Sequence, residues 1–578
     1  MNPPDCTTFV AVTLILAGCA GHAEGEHSIR INQIGFLPGS AKQAVVASPN
    51  GDSFGLIDTK TNAIVFEAAL KPLSVWPPSG EAVRIADFSA LTRPGQYRLV
   101  LDEKTPPVPV AIHAGVYAEL ARASLKAFYY NRSGIALEKT HAGRWSRAAG
   151  HADTRVLVHE SASSASRPPG HVVAAPHGWY DAGDFNKYVV NSGISTYTLL
   201  AAYEHFPDFF DALDLNIPES GNALPDILDE VHWNLRWMLA MQDPADGGVY
   251  HKLTSLEFAG AVMPQDARAE RYVVQKTTAA ALNFAAVMAV AQRVYSGYDA
   301  LLPGFAERCR AAAVAAYDWA LRNPDVVYEQ PADVLTGEYG DLELGDEFFW
   351  ASVELFLGSS DLAYLEVASD QVRPLTTPGW QDVAGLAYVS LLNRPDRLPG
   401  GWRARSRNEL ERYANELVEH RNRSAYGIAY GTDPGDFHWG GTSTALNQAI
   451  LLLRAFALTN DRRYFDAATA NVDYVLGRNA VGLSFVTGFG QRSPMRIHHR
   501  VSESDGIAEP VPGFLVGGPT TNGQDGCRYP SSLPARSYLD AWCSYTTNEI
   551  AINWNAPLVY VTAALQTLVP GSDSAGYR

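Results

Sequence analysis

Two different periodicities divide the chain near residue 113, and this division limits the fold more than any other feature. From about residue 28 to 112, short segments alternate in polarity or are wholly apolar, and turn residues separate them. The segments are IRINQIGF, QAVVAS, SFGLIDT, AIVFEA, EAVRIADF, GQYRLVL and PVPVAIH. About seven strands in fewer than a hundred residues predict an all-β sandwich of the immunoglobulin-like type.

From residue 113 to 572 the pattern becomes helical, because Ala-rich segments show apolar residues every three to four positions. Eleven or twelve such segments occur, and long connections rich in Gly, Pro and Asp join them. Connections longer than about 12–15 residues are usually functional in a compact domain. An even dozen of helices would suit six helical hairpins closed into an α/α barrel, an all-α domain whose long loops gather at one end.

The first 19 residues resemble an export signal. Residues 7–18 form an apolar run that is too short to span a bilayer, and the run ends in the sequence LAGC at residues 16–19. This ending is similar to a bacterial lipobox, in which Cys19 becomes a lipid-modified N-terminus. The residues before the run include Asp5 and no Lys or Arg, and ordinary secretion is the alternative. We predict an exported outer-membrane lipoprotein that faces the periplasm or the cell surface.

Charge and cysteine content exclude several kinds of partner and site. The formal net charge is −17, whereas nucleic acids and anionic membrane surfaces are bound by basic patches. Beyond the leader three cysteines remain, Cys309, Cys527 and Cys543. An oxidising compartment would permit one disulfide, and Cys527 with Cys543 is the expected pair. The sequence contains no Cys-x-x-Cys spacing, so it gives no indication of a structural zinc site.

Two loop segments carry side chains suited to catalysis or sugar binding. The first is WYDAGDFNKY at residues 179–188, where Asp181 and Asp184 stand three positions apart and could direct both carboxylates at one water. An Asx-type helix cap is the alternative explanation. The second is MRIHHR at residues 495–500, which offers donors to sugar hydroxyls or to a carboxylate. A metal site or a basic surface cluster would explain it equally well.

A third segment, SYTTNEIAINWNAP at residues 544–557, places Glu549 against a strongly apolar helix. Its ordinary role would be a negative charge at a helix N-terminus. Partial desolvation would instead raise its pKa and suit a general acid. Hydrolysis of a glycoside needs one carboxylic acid that protonates the leaving oxygen and one carboxylate that activates water. Together the three segments meet this requirement.

Nearly the whole chain after the leader resembles glycoside hydrolase family 9, in the form with an N-terminal immunoglobulin-like domain. The motifs that carry the resemblance are IRINQIGFLPGSAKQAVV, HGWYDAGDFNKYVVNSGI, IPESGNALPDILDE, GGVYHKLT, TGEYGDLELGDEFFWASVEL, YVLGRNAVGLSFVTGFG, RIHHRVSESDG, VPGFLVGGP and SYTTNEIAINWNAPLVY. They occur in the family's order. The resemblance implies an (α/α)6 barrel and hydrolysis of β-1,4-linked glucans with inversion at the anomeric carbon.

The resemblance also implies roles for the catalytic carboxylates. Asp184 is the expected general base, and Asp181 would help to hold the nucleophilic water. Glu549 is the expected general acid. An inverting pair should stand roughly 6.5–9.5 Å apart to admit a water.

Four further residues are implied as substrate ligands. His498 and Arg500 would bind the sugar beside the scissile bond. Trp350, in the segment DEFFW, would offer a stacking face, and Tyr545 is an additional candidate.

The resemblance bears on metals as well. Some relatives carry a Cys/Cys/His/His zinc site just before the Asp-Ala-Gly-Asp loop, but residues 142–170 contain no cysteine, so zinc is not expected. Calcium stabilises several members through loop carboxylates, so a structural calcium ion is an open prediction without assigned positions. The hydrolysis itself is expected to need no cofactor.

The sequence therefore predicts a monomeric endo-β-1,4-glucanase that acts on cellulose-type or mixed-linkage glucans. One alternative is an exo-acting oligosaccharidase, such as a cellobiohydrolase, a glucosidase or an exo-β-glucosaminidase on chitosan oligomers. Another is a non-catalytic glycan-binding protein. The immunoglobulin-like domain is interpreted as a brace for the barrel rather than as a sugar binder.

Overall fold

The computed structural model describes residues 28–47, 51–432, 434–521 and 523–568. The predicted export signal, with Cys19, lies outside the described residues. In the described part, no helix is both long and apolar enough to cross a membrane.

Eight strands build the N-terminal part of the described chain. One antiparallel sheet has the order β1-β2-β6-β5 and the other the order β4-β3-β7-β8, with strands β1 Ile29–Arg30, β2 Gln43–Val46, β3 Ser53–Asp58, β4 Ile64–Ala69, β5 Ser74–Trp76, β6 Glu81–Asp87, β7 Gly95–Val100 and β8 Val108–Ile112. Side chains alternate between the faces of a strand, so Ala44 and Val46 join Leu56 and Leu99 in the core between the sheets. The predicted β-sheet domain is confirmed. Strand β5 was not predicted, because three residues are too few to show alternation.

The first sheet is buried on both of its faces. Val45, which lies between Ala44 and Val46, packs into the core of the helical part of the chain, as do Ile85 and Trp76. The Trp76 ring lies 4.2 Å from the ring of Tyr426. This double burial explains why residues 44–46 of β2 are an unbroken apolar run instead of an alternating one.

Sixteen helices of α type follow in the described chain: α1 Ala118–Tyr130, α2 Lys139–Ala142, α3 Val189–His205, α4 Pro207–Asp211, α5 Asp226–Ala240, α6 Thr278–Tyr295, α7 Phe305–Arg322, α8 Gly345–Ser359, α9 Leu362–Asp370, α10 Ala384–Asn393, α11 Gly400–Arg423, α12 Gly441–Thr459, α13 Arg462–Val475, α14 Arg500–Ser504, α15 Tyr545–Asn548 and α16 Ile552–Thr567. The eleven predicted segments each contain one long helix. The twelfth long helix is α9, which has only nine residues.

Six of the long helices, α3, α6, α8, α10, α12 and α16, are buried almost all round. A helix that is apolar on every side belongs in the interior. They pack as neighbours, since α3 contacts α16 and α6, α8 contacts α6 and α10, and α12 contacts α16. The other long helices pack against them from outside, and α11 buries only a narrow stripe. The prediction of a helical domain is confirmed.

A third sheet, which was not predicted, holds the loops at one end of the helices. Its order is β10-β9-β13-β12-β11, with β9 Val156–Val158, β10 Val172–Val173, β11 Lys187–Tyr188, β12 Lys252–Thr254 and β13 Tyr272–Val273. Strands of two or three residues carry no detectable periodicity. Strand β11 follows directly on the WYDAGDFN segment, so the sheet fixes one end of that loop.

Candidate active site

The loop that carries the two aspartates is anchored at both ends by buried groups. At its start, the indole N–H of Trp179 donates to Glu230 Oε1 at 2.7 Å, and Glu230 forms a fully buried ion pair with Arg132. Across the loop, the backbone N–H of Asp181 donates to the carbonyl oxygen of Asn186 at 3.1 Å. A loop fixed in this way can hold its carboxylates in a defined direction.

Asp181 is almost completely buried and accepts a hydrogen bond on each oxygen. Asn191 Nδ2 donates to Oδ1 at 2.7 Å, and the Tyr339 hydroxyl donates to Oδ2 at 2.7 Å. Burial, followed by the charge of Asp184, raises the pKa of Asp181 to about 8. The alternative of an Asx-type helix cap is wrong for Asp181, because its carboxylate accepts from the side chains of Asn191 and Tyr339 and not from a backbone N–H.

Asp184 is oriented by donors on one of its oxygens. Asn186 Nδ2 donates to Oδ2 at 2.6 Å and the Tyr188 hydroxyl donates to the same atom at 3.1 Å. Asn186 is held in turn, because its Oδ1 accepts from the backbone N–H of Ser255 at 3.1 Å. Both donors occupy Oδ2, so Oδ1 is the oxygen of Asp184 that remains for a water.

Glu549 approaches the aspartate loop from a segment more than 350 residues away. The backbone N–H of Gly183 donates to Glu549 Oε1 at 3.2 Å. The residue is extended and lies between α15 and α16, three positions before α16 begins, so it is not a charge within a helix N-terminus. Burial and the neighbouring carboxylates of Asp184 and Asp181 raise the pKa of Glu549 well above its usual range, while Arg500 acts in the opposite direction.

The backbones of His498 and Glu549 pair in an isolated parallel β-bridge. Its Nδ1 lies 2.7 Å from the carbonyl oxygen of Trp542. A carbonyl oxygen can only accept, so Nδ1 carries the proton and Nε2 is left as an acceptor. Burial lowers the pKa of His498. The neutral ring stacks on Trp542 at 4.3 Å, an arrangement that suits acceptance of a hydrogen bond from a sugar hydroxyl.

Arg500 lies beside the aspartate loop, but its hydrogen bonds go to main-chain atoms. Its NH1 donates to the carbonyl oxygen of Gly183 at 2.8 Å, and Nε donates to that of Ala259 at 2.7 Å. The same Gly183 oxygen also accepts from the backbone N–H of Arg500 at 3.1 Å. In this structure Arg500 therefore braces the loop and places a positive charge near Glu549.

Tyr545 belongs to an aromatic wall that the structure assembles next to Glu549; the wall also contains Trp439, His498 and Trp542. The Tyr545 ring lies 5.4 Å from Trp439 and 5.8 Å from His498. Trp439 is 40% exposed, so it can offer a flat apolar face to a sugar. The disulfide between Cys527 and Cys543, the expected pair, adjoins Trp542, while Cys309 is buried and free.

The expectation that Trp350 offers a stacking face is wrong. Trp350 has 0% exposure within α8. Its indole N–H donates to Glu354 at 3.2 Å, and its ring meets the edge of Tyr197. All sides of α8 are covered by neighbouring helices, so its aromatic residues form core.

Three aromatic residues near the carboxylates were not among the predicted site residues. Tyr188 donates to Asp184, Tyr339 donates to Asp181, and the Tyr339 ring packs edge-on against Trp380 at 5.0 Å. Tyr188 and Tyr339 lie within the family motifs HGWYDAGDFNKYVVNSGI and TGEYGDLELGDEFFWASVEL. Their place in these motifs could have identified them as site residues.

Metal ligands are not grouped in this site. Among the residues that the structure describes, no three or more His, Cys, Asp or Glu side chains stand together so as to hold a metal ion. The His-rich segment at residues 495–500 is used for loop bracing and ring stacking instead.

Comparisons with known proteins identify the family. The model of Glycosyl hydrolase family 9 matches residues 117–562, and that of the cellulase N-terminal Ig-like domain matches residues 24–106. A xyloglucan-specific endo-β-1,4-glucanase of Bacteroides ovatus is 43% identical over 97% of this chain and 98% of its own length. Endoglucanase D of Acetivibrio thermocellus is 32% identical over 93% of this chain and 83% of its own.

Solved structures give the same result. A family 9 structure from Bacteroides ovatus superposes with a TM-score of 0.89 at 42% identity, covering 93% of this chain and 98% of that one. A thermostable endoglucanase of Alicyclobacillus acidocaldarius gives a TM-score of 0.84 at 32% identity, covering 93% of this chain and 99% of that one. The chain belongs to glycosyl hydrolase family 9, with the N-terminal Ig-like domain found in its cellulases.

Proposed function

We propose that this protein cleaves β-1,4-glucan chains internally and with inversion, and that xyloglucan is its preferred polymer. The observation that carries the proposal is the meeting of Asp181, Asp184 and Glu549 around the backbone of Gly183. A non-catalytic protein of this fold that only binds glycans would not need a buried carboxyl group with a raised pKa beside two further carboxyl groups.

Glu549 is the general acid in this proposal. Burial and the neighbouring aspartates raise the pKa of Glu549 and so favour its protonated form, which a general acid requires. It gives that proton to the glycosidic oxygen as the bond to the anomeric carbon breaks. The leaving sugar departs with a new hydroxyl group, and Glu549 is left as a carboxylate.

Asp184 is the general base. A water held at its free oxygen attacks the anomeric carbon from the face opposite the leaving group, and Asp184 takes the proton of that water. Asp181 shares the water and is itself held by Tyr339 and Asn191. One bond to the anomeric carbon breaks, one forms on the other face, and the configuration inverts. The two carboxyl groups exchange their extra proton through solvent before the next turnover.

The choice of xyloglucan rests on the relative from Bacteroides ovatus, which spans nearly this whole chain at 43% identity and is named for that substrate. A full-length match of this kind supports a shared polymer more strongly than the family does. The exo-acting alternative predicts different products and is separated by the following experiment.

The test is product analysis on xyloglucan, carboxymethylcellulose, cellohexaose and chitosan hexamer. We expect the viscosity of xyloglucan to fall before much reducing sugar appears, and NMR to show the α-anomer first. Stepwise release of monomer or dimer would establish exo action. Activity on the chitosan hexamer alone would show that the substrate is a glucosamine polymer and not a glucan. A first product with β-configuration would contradict inversion.

We further propose that the twelve long helices of the described chain form an (α/α)6 barrel, with domain boundaries at residues 28–112 and 113–572. The series of contacts from α10 through α8, α6, α3 and α16 to α12 supports this arrangement. The three functional segments then lie in loops at one end of the barrel.

We propose a structural calcium ion that is held by oxygen atoms of loop carboxylates, at positions that remain unassigned. Calcium takes six to eight oxygen ligands. The ion would stabilise the loops that it joins and take no part in hydrolysis.

Export and lipid modification of Cys19 remain proposals, as does the monomeric state. Incorporation of a labelled fatty acid into the wild-type protein, and its loss in Cys19→Ser, would support the anchor. Full incorporation in Cys19→Ser would contradict it. Sedimentation of the purified protein measures the monomeric state.

A further inference from the structure

A cavity of about 840 Å³ opens beside the aspartate loop, and no residue of the aromatic wall lines it. Its wall is formed by Phe185 and Asn186 of the loop, by residues 255–260 after β12, and by Leu335. Cavities of this size are typical of ligand sites. The function proposed above uses the carboxylates but not this space.

The cavity is separated from the proposed general base by a single side chain. Asn186 lines the cavity, and its amide nitrogen lies 2.6 Å from Asp184 Oδ2. On the same wall, Ala259 accepts a hydrogen bond from Arg500, which also braces Gly183. A group that extends from a sugar bound near Asp184 could therefore enter the cavity.

The lining has the chemistry that a neutral sugar requires. Phe258 is 46% exposed and Leu335 is 62% exposed, and both offer apolar surface for the C–H face of a ring. The Arg500 guanidinium lies over the Phe258 ring at 5.3 Å. Arg268 and Glu257 also line the cavity, and neither side chain has a hydrogen bond or ion pair with another described residue. They are available as a donor and an acceptor for hydroxyl groups.

We propose that this cavity binds a monosaccharide branch of the glucan, a pentosyl or hexosyl substituent on a backbone sugar next to the cleavage point. This inference rests on the proposed function, because it concerns the substrate of the same site. An unbranched glucan would leave the cavity to water, whereas a branched one would bury apolar surface there and bond to Arg268 and Glu257. The cavity would thus make the enzyme prefer branched over unbranched chains.

Gly260 allows a clean test, because a Cβ at this cavity position would meet no atom within 4 Å. Gly260→Trp adds a bulky indole at the cavity wall, from a Cβ position that is itself free of contacts, and Gly260→Ala is the matched control. We expect kcat/KM of Gly260→Trp on xyloglucan to fall about tenfold or more, with kcat/KM on carboxymethylcellulose within about twofold of wild type. Arg268→Ala, an independent variant, should lower only the xyloglucan value. Gly260→Ala should match wild type on both polymers.

Equal losses on both polymers would overturn the proposal, since the cavity would then bind the backbone. No loss in either Gly260→Trp or Arg268→Ala would overturn it as well. A different result would overturn the proposed function: the wild-type protein would cleave no β-1,4-glucan internally. Calorimetry in the Glu549→Gln background adds a readout free of turnover: a xyloglucan heptasaccharide should bind more tightly than cellotetraose, and Gly260→Trp should remove the difference.

Discussion

Gly183 is the position where the geometry of the site is most sensitive to one added methyl group. An ideal Cβ at this residue would stand 2.2 Å from the carbonyl oxygen of His498 and 3.0 Å from Glu549 Oε1. Ordinary van der Waals contact begins at 3.4 Å, so Gly183→Ala requires a displacement of about 1.2 Å. Glycine is therefore needed here for close approach of two backbones.

The displacement would fall on the catalytic groups themselves. His498 is tied to Glu549 by their β-bridge, and Gly183 is bonded to Glu549 Oε1 at 3.2 Å. Relief of the clash must therefore change the position of Glu549 relative to Asp184. A misplacement of about 1 Å costs on the order of 10²-fold in rate, which corresponds to about 2.7 kcal/mol in the activation free energy. Overpacking of this kind costs about 1–3 kcal/mol in stability, which a folded domain can tolerate.

The assay is kcat on xyloglucan, measured by release of reducing ends, together with the thermal midpoint of unfolding. We expect Gly183→Ala to keep its cooperative unfolding and to lose about 10²-fold in kcat. Gly260→Ala, where the added Cβ has open space, should change neither quantity. A Gly183→Ala enzyme with kcat within about twofold of wild type would refute the reasoning.

Three further predictions follow from the carboxylates. Glu549→Gln and Asp184→Asn should each abolish turnover on xyloglucan with unchanged circular dichroism, and substantial activity in either variant would contradict its assigned role. The alkaline limb of the pH profile of kcat/KM should report loss of the Glu549 proton. The Asp181 carboxylate raises the pKa of Glu549, so Asp181→Asn should move this limb to lower pH. A shift of the limb to higher pH would contradict the electrostatic argument. Calcium should raise the thermal midpoint and chelation should lower it, because binding at a hundredfold excess over Kd adds up to about 2.7 kcal/mol to the free energy of unfolding; kcat at low temperature should not change. A chelated enzyme as stable as the calcium-loaded one would argue against the ion.

Local patterns predicted the two-domain architecture well, because burial within one element leaves a period in the sequence. The alternation of β7 and β8 and the helical period of α7 and α11 are of this kind. Where an element is too short, the period is lost; β5, α9 and the five strands of the third sheet were missed for this reason. The segments that carry the site were also identifiable, since polar residues between glycines in long connections stand out from a core pattern.

The tertiary structure decided what each of these residues can do. Trp350 and Trp439 are both tryptophans in or near motifs of the helical domain, yet one is core and the other is exposed beside Glu549. The sequence by itself determined which segments are strands, which are helices and which side chains could act as acid and base. Only the fold decided that Glu549 meets Gly183 across more than 350 residues, that Arg500 braces a loop, and that Tyr339 holds Asp181. Such contacts depend on which elements cover one another, and a periodicity within one element carries no information about its distant neighbours.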